Sequence, residues 1–292
     1  MVFIQQIING LALGSVYALI AIGYTMVYGI IGLINFAHGD IYMTGAFFGF
    51  LVATRLHLGF VPTLLLAMIL SVLLGVIIEK IAYKPLRNSP KITLLITAIG
   101  ISLLLENGFR LIFGPNPRPY PSGLIAEKTI SIGSLQVNNV QLIILGVSVL
   151  LVLILQYIVF KTRIGKAMRA TSFDKEAAQL MGININNIIS VTFAIGSSLA
   201  AAAGVLVGIL YNTINPYMGI MPGLKAFVAA VLGGIGILPG AMLGGIIMGL
   251  AETFTKAYIS SRLSDAIAFS ILIIILIVKP SGLLGKRMRE KV

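Results

Sequence analysis

The sequence predicts an all-α fold, a polytopic membrane bundle of about 8–9 transmembrane segments with one or two short or re-entrant half-helices. Two observations carry this. Hydrophobic residues make up 58% of the 292 and charged residues only 10%, where a soluble domain carries about a quarter of its residues charged. The apolar residues are also gathered into nine stretches, at 4–31, 40–55, 60–83, 92–113, 140–160, 188–210, 223–236, 240–257 and 265–278. A mean hydropathy of +1.03 leaves little chain for a separate soluble domain. Residues 1–292 therefore read as one membrane domain.

Most of these stretches cross a hydrocarbon core of about 30 Å at about 1.5 Å per residue. The 40–55 and 223–236 stretches are shorter and read as half-helices or re-entrant pieces. Such pieces survive only where protein or water, not lipid, meets their unpaired backbone groups. Met1–Gln6 has no basic residue, and the apolar run that follows is longer than the core of a signal peptide. The first stretch is expected to be a retained span.

The connections between stretches differ in charge. Residues 84–91 hold Lys84, Arg87 and Lys91 with no acid, and 161–187 hold Lys161, Arg163, Lys166, Arg169 and Lys175 against Asp174 and Glu176. The tail 279–292 holds Lys279, Lys286, Arg287, Arg289 and Lys291 against Glu290. Basic residues collect on cytoplasmic connections, so all three are expected inside, with the C-terminus. The loop 114–139, with Arg118 and Lys128 against Glu127, is expected outside. Its Ile130–Val137 part suggests a hairpin around Gly133-Ser134. If all nine stretches cross, the N-terminus lies outside; if one is re-entrant, it changes side.

This placement also accounts for the net charge of +12, which in a soluble protein would suggest a nucleic-acid partner. None is expected here. There is no cysteine, which excludes disulfides and thiol chemistry. Many of the 32 glycines recur at four-residue spacing, as in Gly10/Gly14, Gly45/Gly49, Gly204/Gly208 and Gly245/Gly249. In lipid, close helix packing needs small residues at the contact, and that is their expected role.

The 161–187 connection is long for a loop that merely joins two spans. Thr171 can cap a helix with Asp174 three residues on, and Gly182 supplies a stop. The helix between is amphipathic, with Phe173, Ala177, Leu180 and Met181 on one face. It suits either a membrane surface or a cytoplasmic partner.

Glu176-Ala177-Ala178 followed by Gly182 resembles the EAA–G signature of permease subunits in bacterial ABC importers; the usual Ile-x-Leu-Pro continuation is absent. Gly14-Ser15-Val16-Tyr17-Ala18-Leu19, then Gly32-Leu33-Ile34-Asn35-Phe36-Ala37-His38-Gly39-Asp40, resembles the N-terminal signature of the branched-chain amino-acid permeases. Ala229-Ala230-Val231-Leu232-Gly233-Gly234-Ile235-Gly236 with Pro239-Gly240-Ala241 is similar to their C-terminal one. The resemblance spans nearly the whole chain and points to the Liv-H-like branch. It implies a helical permease paired with a second, related permease chain, two cytoplasmic ATPase subunits below and an extracytoplasmic solute-binding protein above, in a bacterial inner membrane.

On that resemblance, Arg163, Gly165, Lys166, Arg169, Asp174, Glu176, Ala177, Ala178 and Gly182 would engage an ATPase. Tyr17, Asn35, His38, Asp40, Gly233, Gly234 and Gly236 are candidates for the translocation path. Asn35, His38 and Asp40 lie at the inner junction of the first two stretches, where a polar bend or gate at the foot of the path is expected. The chain has no Gly-x-x-x-x-Gly-Lys-[Ser/Thr], so ATP and Mg would be used by partner chains. No cofactor, metal or catalytic set is expected, since one His with one Asp is a poor metal site.

Ionisable residues inside spans are functional candidates by default. Glu106 and Arg110 are spaced for a helix ion pair, Glu79 and Lys80 are expected to snorkel, and Lys225 is placed to pair with Glu252. Three functions compete. The leading one is ATP-driven uptake of leucine, isoleucine and valine. The second is uptake of urea or short-chain amides through the same architecture. The third is a stand-alone secondary transporter, which the lack of an isolated acid at a span centre disfavours.

Overall fold

A computed structural model describes residues 2–126, 128–132 and 135–285. Met1, Glu127, Gly133 and Ser134 (where a turn is predicted) and the residues from Lys286 onward lie outside the described residues. Among the described residues nine helices form the bundle: α1 (Val2–Ile31), α2 (His38–Leu56), α3 (Phe60–Ile78), α4 (Lys91–Phe113), α5 (Asn139–Lys161), α8 (Ile185–Tyr211), α9 (Ile220–Gly233), α10 (Leu238–Tyr258) and α11 (Ser264–Val278). Two more, α6 (Arg163–Phe173) and α7 (Lys175–Leu180), lie between α5 and α8. All but α2 and α9 are long and apolar enough to cross a membrane, which makes seven such helices among the described residues. The two remaining are the two that sequence length marks as short.

The ends of the helices define two faces. On one, Gln141 at the start of α5 donates to Asn9 of α1, and Phe3 stacks on Phe254 near the end of α10. The loop after α4 meets the end of α8 there: β1 (Arg118–Pro119) pairs antiparallel with β4 (Thr213–Ile214). On the other face, Lys175 reaches the Ile31 carbonyl at the end of α1, and Arg87 bonds Asn186 at the start of α8. The Lys279–Gly285 segment is held there too, through Leu283 to Leu232 and Leu284 to Gly233. The start of α1 and the last described residues therefore lie on opposite faces, as an odd number of crossings requires.

Each short helix follows a non-helical segment, residues 32–37 before α2 and 212–219 before α9. α1 ends on Gly32 at φ 76, a left-handed stop that costs glycine nothing. The chain then turns back into the bundle. Asn35 Oδ1 accepts from the Ala37 amide (3.1 Å), and α2 starts with His38 beside Gly23, well short of the face where α1 ended. The same sequence of events follows α8. Asn212 takes the left-handed stop (φ 53), Asn215 Oδ1 accepts from the Tyr217 amide (2.9 Å), and α9 starts after Gly219. Gly32/Asn212, Asn35/Asn215 and Gly39/Gly219 share one constant separation along the chain.

The packing repeats as well. α3 lies on α8 as α10 lies on α1; α2 touches α3 and α4 as α9 touches α10 and α11; α1 meets α8, and α2 meets α9. α1 and α8 run in opposite directions, so the two halves are inverted copies. The seam between α1 and α10 is made of small residues. An added Cβ on Gly14 would lie 2.8 Å from Ile246 Cα, so only glycine admits this approach.

Several expectations are revised. A β2–β3 ribbon (Thr129–Ile132 with Leu135–Asn138) forms where the hairpin was predicted, its turn lying outside the described residues. With the β1–β4 pair it is the strand content of an otherwise helical fold, among the described residues. Glu106 does not pair with Arg110, whose guanidinium reaches the Tyr217 hydroxyl instead. Glu79 does not snorkel: it is fully buried, accepting from Arg87 and from Ser190.

Candidate functional site

The 161–187 segment folds as two short helices rather than one. Thr162 caps α6, its hydroxyl accepting from the Gly165 amide, and Asp174 caps α7 by accepting from Ala177. Thr171, expected as the cap, is buried within α6 and donates to the Ala167 carbonyl. The predicted stop holds: Gly182 has φ 82, and the Ile183 amide returns to the Ala178 carbonyl. Gly165 lies against the carbonyls of Ile158 and Val159, where a Cβ has no room, so α6 folds tightly back on the end of α5.

This element has one anchored side and one open side. Gly165, Met168, Thr171 and Ala178 are buried against the bundle. Arg163, Lys166, Arg169, Asp174, Glu176, Ala177 and Gly182 are exposed. Arg169 lies over the Phe160 ring. Phe173, Leu180 and Met181 are 95%, 88% and 83% exposed. Burial and the Arg87 charge both depress the pKa of Lys175. Beside it, Arg87, Lys91 and Lys175 line a cavity of about 740 Å³ on this face.

The path candidates fall in three places. Asn35, His38 and Asp40 sit at the start of α2, within the bundle rather than at its foot. Asn35 Oδ1 also accepts from Tyr83 (2.7 Å). His38 is buried with its ring edge-on to Tyr24, at 4.8 Å between centroids. Tyr17 lies elsewhere, donating to Glu252 (2.7 Å). Gly233, Gly234 and Gly236 lie at the face of α6 and α7, Gly233 against Gly240 and Gly236 near Gly29.

Glu252 is the hub of a buried ion network. Lys225 Nζ lies 2.9 Å from its Oε2 and 2.7 Å from Asp265 Oδ1, and Lys256 Nζ 2.5 Å from its Oε1. The Lys225–Glu252 pair was legible from sequence; Lys256 and Asp265 were not singled out. Asp40 was expected as part of a polar bend. It instead faces α4, accepting from Ser102 (2.5 Å) and lining one cavity with Glu106. That neighbour was missed because α2's starting depth is not visible in the sequence.

Two half-helices meeting inside an inverted bundle, with a capped helical element on one face, define a multi-pass membrane permease. Among the described residues no cluster of three or more His, Cys, Asp or Glu could hold a metal ion.

The chain belongs to the family described as branched-chain amino acid transport system / permease component, which matches residues 6–276. It is a permease component of an ABC transport system, a class that works with ATPase and binding-protein partners. It is 45% identical to the high-affinity branched-chain amino acid transport system permease protein LivH of Escherichia coli K12, over 99% of this chain and 98% of that one. It is 44% identical to BraD of Pseudomonas aeruginosa over the same shares. The solved structure of PsaBC from Streptococcus pneumoniae in complex with Fab shares the fold, with a TM-score of 0.53 at 16% identity over 96% of this chain and 93% of that one.

Proposed function

We propose that this chain is the translocation subunit of an importer for leucine, isoleucine and valine, working in a bacterial inner membrane. The reading rests on the α6–α7 element. Its apolar side chains Phe173, Leu180 and Met181 stand clear of the core beside Arg163, Lys166 and Arg169. An exposed apolar cluster with a basic rim fits a protein groove. The partner is a cytoplasmic ATPase, two copies serving this chain and a second, related permease. The face carrying α6, α7 and Lys279–Gly285 is cytoplasmic. The opposite face, with β1–β4 and the start of α1, receives the solute-binding protein. Residues 1–292 act as one domain. Tyr17, Asn35, His38, Gly233, Gly234 and Gly236 shape and pack the moving path.

Closure of the ATPases moves α7, and α7 leads through Gly182 directly into α8. α8 carries the lead to α9, so a push at the handle reaches the meeting point of the half-helices. Substrate specificity follows from the full-length similarity to LivH and BraD. The test is reconstitution in proteoliposomes with both permeases, the ATPases and the binding protein. ATP-dependent uptake of labelled leucine is expected; uptake of urea without leucine would overturn the substrate.

A further inference from the structure

We propose that the cavity between α2, α4 and α9 is a transit site for the ammonium group of the carried amino acid, with Asp40 and Glu106 as its counter-charges. The proposal rests on the amino-acid reading above and adds a site within it. The cavity has a volume of about 380 Å³ and lies where the two half-helices begin. Asp40 and Glu106 are 3% and 9% exposed, and both line it. Ser102, the donor to Asp40, stands one turn before Glu106 on α4, so the two carboxyls face the same cavity.

A structural role accounts for Asp40 alone. It sits in the first turn of α2, where a negative charge offsets the helix dipole, and Ser102 donates to it. Nothing comparable accounts for Glu106. Among the described residues no donor and no ion pair reaches it. Arg110, four residues on, bonds Tyr217, and Lys225, next to the cavity-lining Leu224, serves Glu252 and Asp265. A carboxylate accepts and cannot donate, so two of them side by side need a shared proton or a cation.

The walls select among cations. A hard divalent ion wants six or more oxygens, more than two carboxylates and a hydroxyl supply. Aliphatic side chains of α4 and α9 and the rings of Tyr24 and Phe36 make up most of the remainder. Aromatic faces attract cations, and aliphatic walls suit a branched hydrocarbon tail. An ammonium group brings three donors, enough for Asp40, Glu106 and one hydroxyl. Discontinuous helices meeting between inverted repeats are also where transporters of other classes place their cargo.

The test uses the assembled transporter in nanodiscs, with 3-methylbutylamine as an ammonium probe and 4-methylpentanoate as its carboxylate counterpart. The amine is expected to raise the melting temperature of the wild type and to lose that effect in Asp40→Asn and Glu106→Gln. Leucine uptake should fall at least tenfold in Glu106→Gln, and Glu106→Asp, which keeps the charge, should recover both. Size-exclusion profiles establish that the variants assemble. Equal responses of wild type and Glu106→Gln to the amine, or equal stabilisation by the carboxylate, would overturn the site. So would stabilisation by acidic pH alone, which marks a shared proton. If the wild type imports no leucine but responds to the amine through Glu106, the site stands and the substrate reading falls.

Discussion

Gly39 and Gly219 meet backbone to backbone at the point where the two half-helices begin, each at the same place in its inverted half. A Cβ on Gly39 would lie 2.6 Å from the Gly219 carbonyl oxygen and 3.1 Å from Gly223 Cα. Backbone on both sides leaves no side chain to give way. The half-helices are thus held by direct contact, and whatever moves one moves the other.

Gly39→Val is expected to force α2 and α9 apart. Overpacking of this kind costs about 1–3 kcal/mol. Gly59→Ala is the matched control, since nothing lies within 4 Å of its Cβ position. Thermal melting of the purified permease should fall clearly for Gly39→Val and stay put for Gly59→Ala. An unmoved Gly39→Val would mean that the contact is slack.

The ion network around Glu252 gives a second test. Lys225 is buried between two carboxylates, with Lys256 and Tyr17 completing the set. Its removal leaves two carboxylates to one partly exposed Lys256, and breaking a buried pair costs about 3–5 kcal/mol. Lys225→Met should therefore destabilise strongly. Adding Glu252→Gln and Asp265→Asn to it should recover much of the loss, because the stranded charge goes too. A triple variant as unstable as the single one would show that packing of the lysine stem, not charge, is what matters.

The handle should separate folding from coupling. Phe173 and Leu180 touch little of the bundle, and exposed positions of this kind usually change stability by about 0.5 kcal/mol or less. Phe173→Ser with Leu180→Ser should melt like the wild type yet fail to retain the ATPase during purification. Asp174→Ala differs, since it removes a helix cap worth about 1 kcal/mol, and should loosen α7 as well. Full ATPase retention by the double variant would move the docking surface elsewhere.

The bundle and its two faces were legible because they rest on composition and on where Lys and Arg collect. Gly182 was legible as a stop, since a glycine after an amphipathic run has one common use. The inverted repeat was not, because Asn35/Asn215 and Gly39/Gly219 are isolated matches in helices that otherwise share little sequence. The meeting of Asp40 with Glu106 was hidden for a related reason. Sequence places Asp40 next to a loop, and only the fold of residues 32–37 back into the bundle brings it beside Ser102 in the middle of α4. Arg110, spaced correctly for Glu106, is drawn away by Tyr217, which no local pattern foretells.

Glu79 offers the sharpest separation of motor from conduit. It is fully buried at the end of α3 and holds Arg87 from the loop before α4 and Ser190 from α8, while Arg87 also bonds Asn186. The knot ties the first turns of α8 to the opposite repeat, immediately beside α7. On the proposed coupling, a push from α7 reaches the half-helices only if α8 and α3 move together. Arg87→Met with Glu79→Gln removes the knot without leaving a lone buried charge, so the protein should assemble. The expected result is ATP hydrolysis near the wild-type rate with leucine uptake down several-fold. If hydrolysis and uptake fall in step, the knot serves assembly of the motor rather than transmission from it.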